Sequence, residues 1–200
     1  MAGGAGAPPD QSAQAGHHHQ PTPRSPVEDE TIHVVSSSVT SEFPEGIRFM
    51  VDATSESEIT SVAVRFRTGT QARGSYDYLG LDQGHSVSSE LFWRTNAGGR
   101  YIPPGTMIRY NFEIEDASGA RLDTEVEEFV YYDARFEWHE VEDGPITVAY
   151  HGPVQRRAEI ILEAIVDTLG RMGPLLGADT RLPIRVTMYN NVKEMLDALP

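Results

Sequence analysis

The sequence predicts a mainly β protein: an antiparallel β-sandwich followed by a shorter, incomplete α/β segment. Three observations carry that expectation. Short stretches alternating apolar and polar residues recur between Thr31 and Val130, separated by turn residues. One stretch, Tyr101–Phe129, reads as a hairpin. Beyond it the apolar spacing lengthens from two residues to three and four, the period of a helix.

Residues 1–30 are rich in Ala, Gly, Pro, Gln and His and carry almost nothing large and apolar. Such a segment cannot offset its ordering entropy by burial, so a disordered tail is expected. His17, His18 and His19 stand within it, where no rigid scaffold would hold them as metal ligands, and they read as solvated. The sandwich is placed at residues 31–134. Ile32–Ser37 is a short, β-branched first strand. Gly46–Ala53 and Ile59–Arg67 alternate; Ile47, Phe49 and Val51 share one face, then Val62, Val64 and Phe66. Tyr76–Leu81 and Val87–Arg94 add two more strands, the second setting Leu91 beside Trp93. Trp93 reads as core packing rather than an aromatic ligand platform.

Pro103-Pro104-Gly105 then turns the chain, since proline fixes φ and glycine takes the conformation other residues resist. Ile108, Tyr110, Phe112 and Ile114 share the inward face; Arg109, Asn111, Glu113 and Glu115 take the wet one. Asp116-Ala117-Ser118-Gly119 reverses direction and Arg121–Val130 returns. With this hairpin there are about seven short strands at regular spacing, the pattern of a sandwich. The hairpin resembles the closing hairpin of immunoglobulin-like and fibronectin type III domains.

Residues 135–200 follow a different grammar. Tyr131–Trp138, YYDARFEW, is dense in rings and charges and reads as an interdomain seam. Ile146–Tyr150 is a strand. Pro153 suits the first helical position, and Ala158, Ile161, Leu162, Ile165, Leu169 and Met172 form an apolar stripe that Gly173-Pro174 should interrupt. Ile184–Tyr189 is a further strand behind Pro183, and Asn191 with Glu194 is spaced as a capping pair for a second helix. This β-α-β-α unit exposes more apolar surface than it covers. It is therefore expected to be the incomplete start of a domain, with a C-terminal remainder as its partner.

Sixteen basic against thirty acidic residues leave a net charge of −14, which repels phosphate and argues against nucleic acid and anionic membrane surfaces as partners. No apolar run is long enough to span a membrane. The absence of cysteine removes disulfides, thiol nucleophiles and thiolate metal sites. No basic and apolar leader is legible at Met1, so the compartment stays open.

Chemical motifs are sparse. HExxH sets two histidines one helical turn apart on one zinc, with the glutamate activating the bound water. His139-Glu140-Val141-Glu142-Asp143 comes near it, but Asp143 replaces the second histidine and Gly144-Pro145 follows at once, against a helix. His151, beside Gly152-Pro153, reads as structural. Gly80-Leu81-Asp82-Gln83-Gly84 lacks the alternating oxygen ligands of a calcium loop. No phosphate-binding glycine loop and no nucleophile elbow is present. Glu113 with Glu115, and Glu125 with Glu127, sit two apart on presumed strands and read as solvated surface. No catalytic, cofactor-binding or metal-ligating residue is assigned.

The order of parts nevertheless resembles a known family. The segments are IHVVSSSVTSEFPEGIRFMVDA, YIPPGTMIRYNFEIEDASG and YYDARFEW leading to ITVAYHG, followed by RRAEIILEAIVDTLGRMGPLLG and LPIRVTMYNNVKEML. From Thr31 to Pro200 they resemble the N-terminal part of a bacterial peptidase MA-like, gluzincin-type metallohydrolase. The resemblance implies a β-sandwich ahead of a zinc domain whose HExxH and later Glu ligand lie beyond this chain. It also implies a protein or peptide substrate and an extracellular or cell-envelope location. On that reading the chain is the non-catalytic front of a zinc metallopeptidase, inactive and zinc-free by itself. The other reading is a stand-alone Ig-like binding module for protein or carbohydrate.

Overall fold

In the computed structural model, which describes residues 31–69, 74–96, 101–177 and 182–199, β1 spans Ile32–Glu42 and β2 spans Gly46–Thr68. The tail expected at residues 1–30, with His17–His19, lies outside the described residues. β2 corrects the sequence reading, which divided it into two strands. Residues 55–58 hold no Gly or Pro to break the strand. Instead it shifts register there, between Thr54 and Ile59 against one neighbour and between Ile59 and Ser61 against another.

β3 (Ser75–Tyr78), β4 (Gly84–Arg94) and β5 (Thr106–Asp116) follow. The first half of β2 lies between β1 and β4, the second half between β3 and β5, all antiparallel. β2 therefore belongs to both layers and curls from one to the other. Phe49 and Phe66 show how far: along a straight strand they would stand about 55 Å apart. Their ring centroids are 5.2 Å apart across the core, with the planes tilted by 32°. Tyr110 at 5.8 Å from Phe49 and Trp93 at 4.7 Å from Phe66 complete the aromatic centre. Strand outweighs helix by 54% to 17% of the described residues, so the fold is mainly β, as expected.

The return of the hairpin is also corrected. Arg121–Val130 is two strands, β6 (Arg121–Asp123) and β7 (Glu127–Tyr131), each pairing with a different part of β5. Between them Thr124 holds Phe112 from both ends: its N–H donates to the Phe112 carbonyl at 2.9 Å, and its Oγ1 accepts from the Phe112 N–H at 2.9 Å.

Three strands form a second sheet, ordered β10 (Ile184–Thr187), β9 (Ile146–His151) and β8 (Trp138–Asp143). β9 and β10 are parallel, as the β-α-β reading requires, and β8 is antiparallel to β9. The sequence reading passed over β8 because rings and charges hid its alternation. Helix α1 (Gln155–Leu176) packs Ala158 and Leu162 onto this sheet. It begins after Val154, two residues beyond the predicted Pro153, and runs through Pro174 to a left-handed Gly177. Pro174 removes its own N–H bond to the preceding turn, and only Leu175 and Leu176 follow it in the helix, so little helix depends on that bond. Helix α2 (Val192–Leu196) starts on the predicted cap: Asn191 Oδ1 accepts from the Glu194 N–H at 2.9 Å.

Apolar surface does remain open at the end of α1, where Leu175 is 79% and Leu176 72% exposed. The last described residues, however, sit on the sandwich. Ala198 is buried in the sandwich core, and the Tyr101 hydroxyl donates to its carbonyl at 2.9 Å. Thr187 Oγ1 donates to the Pro104 carbonyl at 3.0 Å, above Gly105. Gly105 has φ of +88°, and a Cβ there would lie 2.2 Å from Thr187 Oγ1. Both the backbone conformation and the close approach require glycine.

Asp116 anchors the kink of β2. Ser55 Oγ donates to its Oδ2 at 2.7 Å, while Oδ1 accepts from the Ser118 hydroxyl at 2.6 Å and the Ser118 N–H at 2.9 Å. These bonds, the Ser118 hydroxyl first and Ser55 next, hold the Asp116 carboxyl below the usual range against the opposing effect of burial. A depressed folded pKa contributes stability above the unfolded value of about 3.9, and that stability disappears as pH falls through the folded value. Asp116→Asn is expected to lower the urea midpoint at neutral pH. It should also lose less stability than the parent between about pH 6 and about pH 2. Paired urea melts check this, and equal pH slopes would remove Asp116 from its anchoring role.

Candidate ligand-binding surface

Cross-strand register places the aromatic pair of β3. Tyr78 lies opposite Ala63 and Tyr76 opposite Arg65, so both rings point to the outer face of the sheet, away from the core. Ala63 is itself opposite Glu113, and Glu113 opposite Asp123. One row across the sheet therefore reads Tyr78, Ala63, Glu113, Asp123. Tyr76 is 45% and Tyr78 62% exposed, with ring centroids 5.3 Å apart and planes at 89°. Ala63, beneath them, is fully covered.

Glu113 was expected on the wet face with Glu115, and it does lie on that face. Yet it is only 6% exposed. Burying a carboxylate without partners is costly, and here the partners come from three other strands of the same sheet. Its Oε2 receives the Arg65 and Arg121 guanidinium groups, and its Oε1 accepts the Tyr76 hydroxyl at 3.1 Å. Arg65 also lies 5.7 Å from the Tyr76 ring centre, a cation–π contact. The Tyr76 phenol is consequently pushed well above its ordinary pKa, by burial of its hydroxyl end, then the Tyr78 hydroxyl, then Glu113. The surrounding ion pairs are looser: Arg121 stands 3.7 Å from Glu115 and 3.7 Å from Asp123. The result is a braced patch, with fixed rings and charged groups that keep outward donors and acceptors.

The sequence places a strand at Tyr76–Leu81, against Ser75–Tyr78 in the structure, but it does not show what the tyrosines meet. Only the pairing of β3 with the second half of β2 brings Tyr76 above Glu113, 37 positions away.

A second cluster lies at the predicted seam. Tyr132 stacks on Trp138 with centroids 5.3 Å apart, and Phe136 on His151 at 4.1 Å. Asp133 is fully buried among them. Arg135 gives it hydrogen bonds at 2.6 and 2.9 Å and the Tyr189 hydroxyl one at 3.0 Å. Burial raises its pKa, but Arg135 and Tyr189 outweigh it and the carboxyl lies below the usual range. The bonding of Asp133 is internal, and the cluster joins the two sheets rather than offering a ligand surface.

The other sequence-level candidates are dispersed. His139–Asp143 lies within β8, so its ends stand about 13 Å apart rather than on one helical face. Glu140 instead accepts from Tyr132 at 2.6 Å and pairs with Arg185. His151 ends β9 and is buried; Asn190 Nδ2 donates to its Nδ1 at 3.2 Å, which leaves Nε2–H to face Glu194 at 3.1 Å. Trp93 is half-buried against Phe66, as core packing requires. Gly80 is bridged to Glu90, and Glu125 and Glu127 are exposed. Among the described residues no three His, Asp or Glu side chains are grouped to hold a metal, and no helix is long and apolar enough to cross a membrane.

No protein-family model matches the chain, and no curated protein matches it. Among solved structures the chain is similar to "Crystal structure of Br derivative BhCBM56", a carbohydrate-binding module. The TM-score is 0.32 and the identity 10%, over 47% of this chain and 88% of that one. So distant a likeness carries no argument about ligand. The resemblance to peptidase MA-like, gluzincin-type metallohydrolases is corrected by these comparisons: none returns a peptidase, and the solved structure they return is of another class. The metallopeptidase and hydrolase reading falls with it, as does the zinc expected beyond this chain on that ground alone. The physical reason is the generality of the signal. Alternating strands, a Pro-Gly turn and a capped helix are what any sandwich with an α/β neighbour needs.

Glu113→Gln is expected to lower the Tyr76 pKa part of the way toward the ordinary phenol value, since it removes the carboxylate but leaves burial and the Tyr78 hydroxyl in place. Spectrophotometric titration should show one tyrosine ionising at lower pH than in the parent. An unchanged titration curve would detach Tyr76 from Glu113.

Proposed function

We propose that the sandwich is a binding module for carbohydrate or protein, and that the outer face carrying Tyr76 and Tyr78 makes the contact. The observation that supports this most is the exposure of two adjacent tyrosines, 45% and 62%, on a surface where Glu113 holds the Tyr76 hydroxyl and Arg65 beneath it. Tyrosine and arginine supply most of the energy where proteins recognise ligands, because they combine large apolar area with directed polar atoms. Bracing by Glu113 removes part of the ordering cost that binding would otherwise incur. The same bracing separates this pair from isolated surface apolar residues such as Val35, which is 67% exposed without polar support of that kind.

The test compares the parent with the double variant Tyr76→Ala/Tyr78→Ala, its fold checked by circular dichroism. Each is immobilised and exposed to soluble neutral polysaccharides and, separately, to extended peptides. The parent should retain members of at least one class, and the double variant should weaken that binding by about tenfold or more. Retention of neither class by the parent, or binding indifferent to the substitutions, overturns the reading.

A further inference from the structure

Resting on that reading, we infer that the ligand of the Tyr76–Tyr78 face is a neutral oligosaccharide. Charge narrows the choice first. A net charge of −14 repels phosphorylated, sulfated and other anionic ligands. Locally, Glu113, Glu115 and Asp123 outnumber Arg65 and Arg121, so the patch itself offers no anion pocket.

The edge of the sheet narrows it again. β3 is an edge strand, and an extended peptide would ordinarily be captured by its open backbone. That edge is blunted. The Leu79 N–H points inward, to the Val62 carbonyl at 2.9 Å, whereas the Tyr78 N–H is taken by Asp77 Oδ1 at 2.9 Å. The strand is also only four residues long. What remains is the face.

The chemistry of that face suits a sugar ring. The face of a pyranose is a set of C–H bonds and its rim a set of hydroxyls. An aromatic ring presents a negative face to C–H groups, and Tyr78 is the more exposed of the two. Around it, Arg65 and Arg121 each spend one edge on Glu113 and keep further N–H donors, their side chains 48% and 43% exposed. Glu115 and Asp123 lie 3.7 Å from Arg121, too far for hydrogen bonds to it, and present acceptors. Guanidinium donors anchored on Glu113, with carboxylate acceptors beside them, match neighbouring hydroxyls. Tyr78 is the stacking residue in this arrangement, and Glu113 a positioning residue.

Calorimetric titration of the full chain tests this with gluco-, manno-, xylo- and galacto-oligosaccharides, a sulfated oligosaccharide and a lysine-rich peptide. At least one neutral oligosaccharide should bind. Tyr78→Ala should weaken it about five- to tenfold, whereas Tyr78→Phe, which keeps the ring, should stay within about twofold. Affinity should hold when salt rises from about 0.05 to about 0.5 M, since a neutral ligand brings no charge to screen. A preference for the sulfated sugar, or loss of affinity with salt, overturns the neutral-saccharide inference. Tyrosine-dependent binding of peptide but of no sugar overturns it as well, yet leaves the binding-module reading intact. Absence of tyrosine-dependent binding by every ligand overturns both.

Discussion

The curl of β2 is the constraint on which the rest of the molecule depends. A strand that serves both layers cannot slip in one without slipping in the other, because every side chain would change face. Its register against β1 and β4 is thereby tied to its register against β3 and β5. The point of exchange, residues 55–59, is held by Asp116 from the end of β5 and by the Ala117 N–H, which donates to the Glu58 carbonyl at 2.8 Å. Polar bonds thus fix the bend, and the Phe49–Phe66 contact fills the space the bend encloses.

From that register the outer surface follows. β2 carries Arg65, β5 carries Glu113 and β6 carries Arg121, and only the pairing order of the three strands sets the carboxylate between the guanidinium groups. A buried carboxylate with three partners is fixed in position, and it fixes Tyr76 in turn. The exposed rings are therefore a consequence of core geometry transmitted through the sheet, which is why a four-residue strand can present them reproducibly.

The seam applies the same physics between the two sheets. Asp133, Arg135 and Tyr189 form one bonded group, walled by Trp138, Phe136 and His151. Together with Thr187 over Gly105 and Ala198 in the sandwich core, it seats the α/β unit on the β-sandwich. The apolar flank of α1 at Leu175 and Leu176 is left in solvent all the same.

How much of this was readable from the chain differs from element to element. Local pattern located most of the strands, the inward Phe and Ile residues, the Pro-Gly turn and the cap at Asn191, because each depends on neighbours within a few residues. It misjudged β2, since a register shift without Gly or Pro leaves no local mark. It also passed over β8, whose rings and charges disguise the period, and ended α1 too early at Pro174. The candidate site was not legible, since Tyr76, Arg65, Glu113 and Arg121 come from four separate strands. By itself the sequence determined a mainly β chain in which strands such as β2 and β5 turn apolar residues to the core and polar ones outward, because side-chain direction has a period of two. Tertiary structure alone decided which wet residues meet, because cross-strand neighbours are set by register and strand order, and no local pattern encodes either.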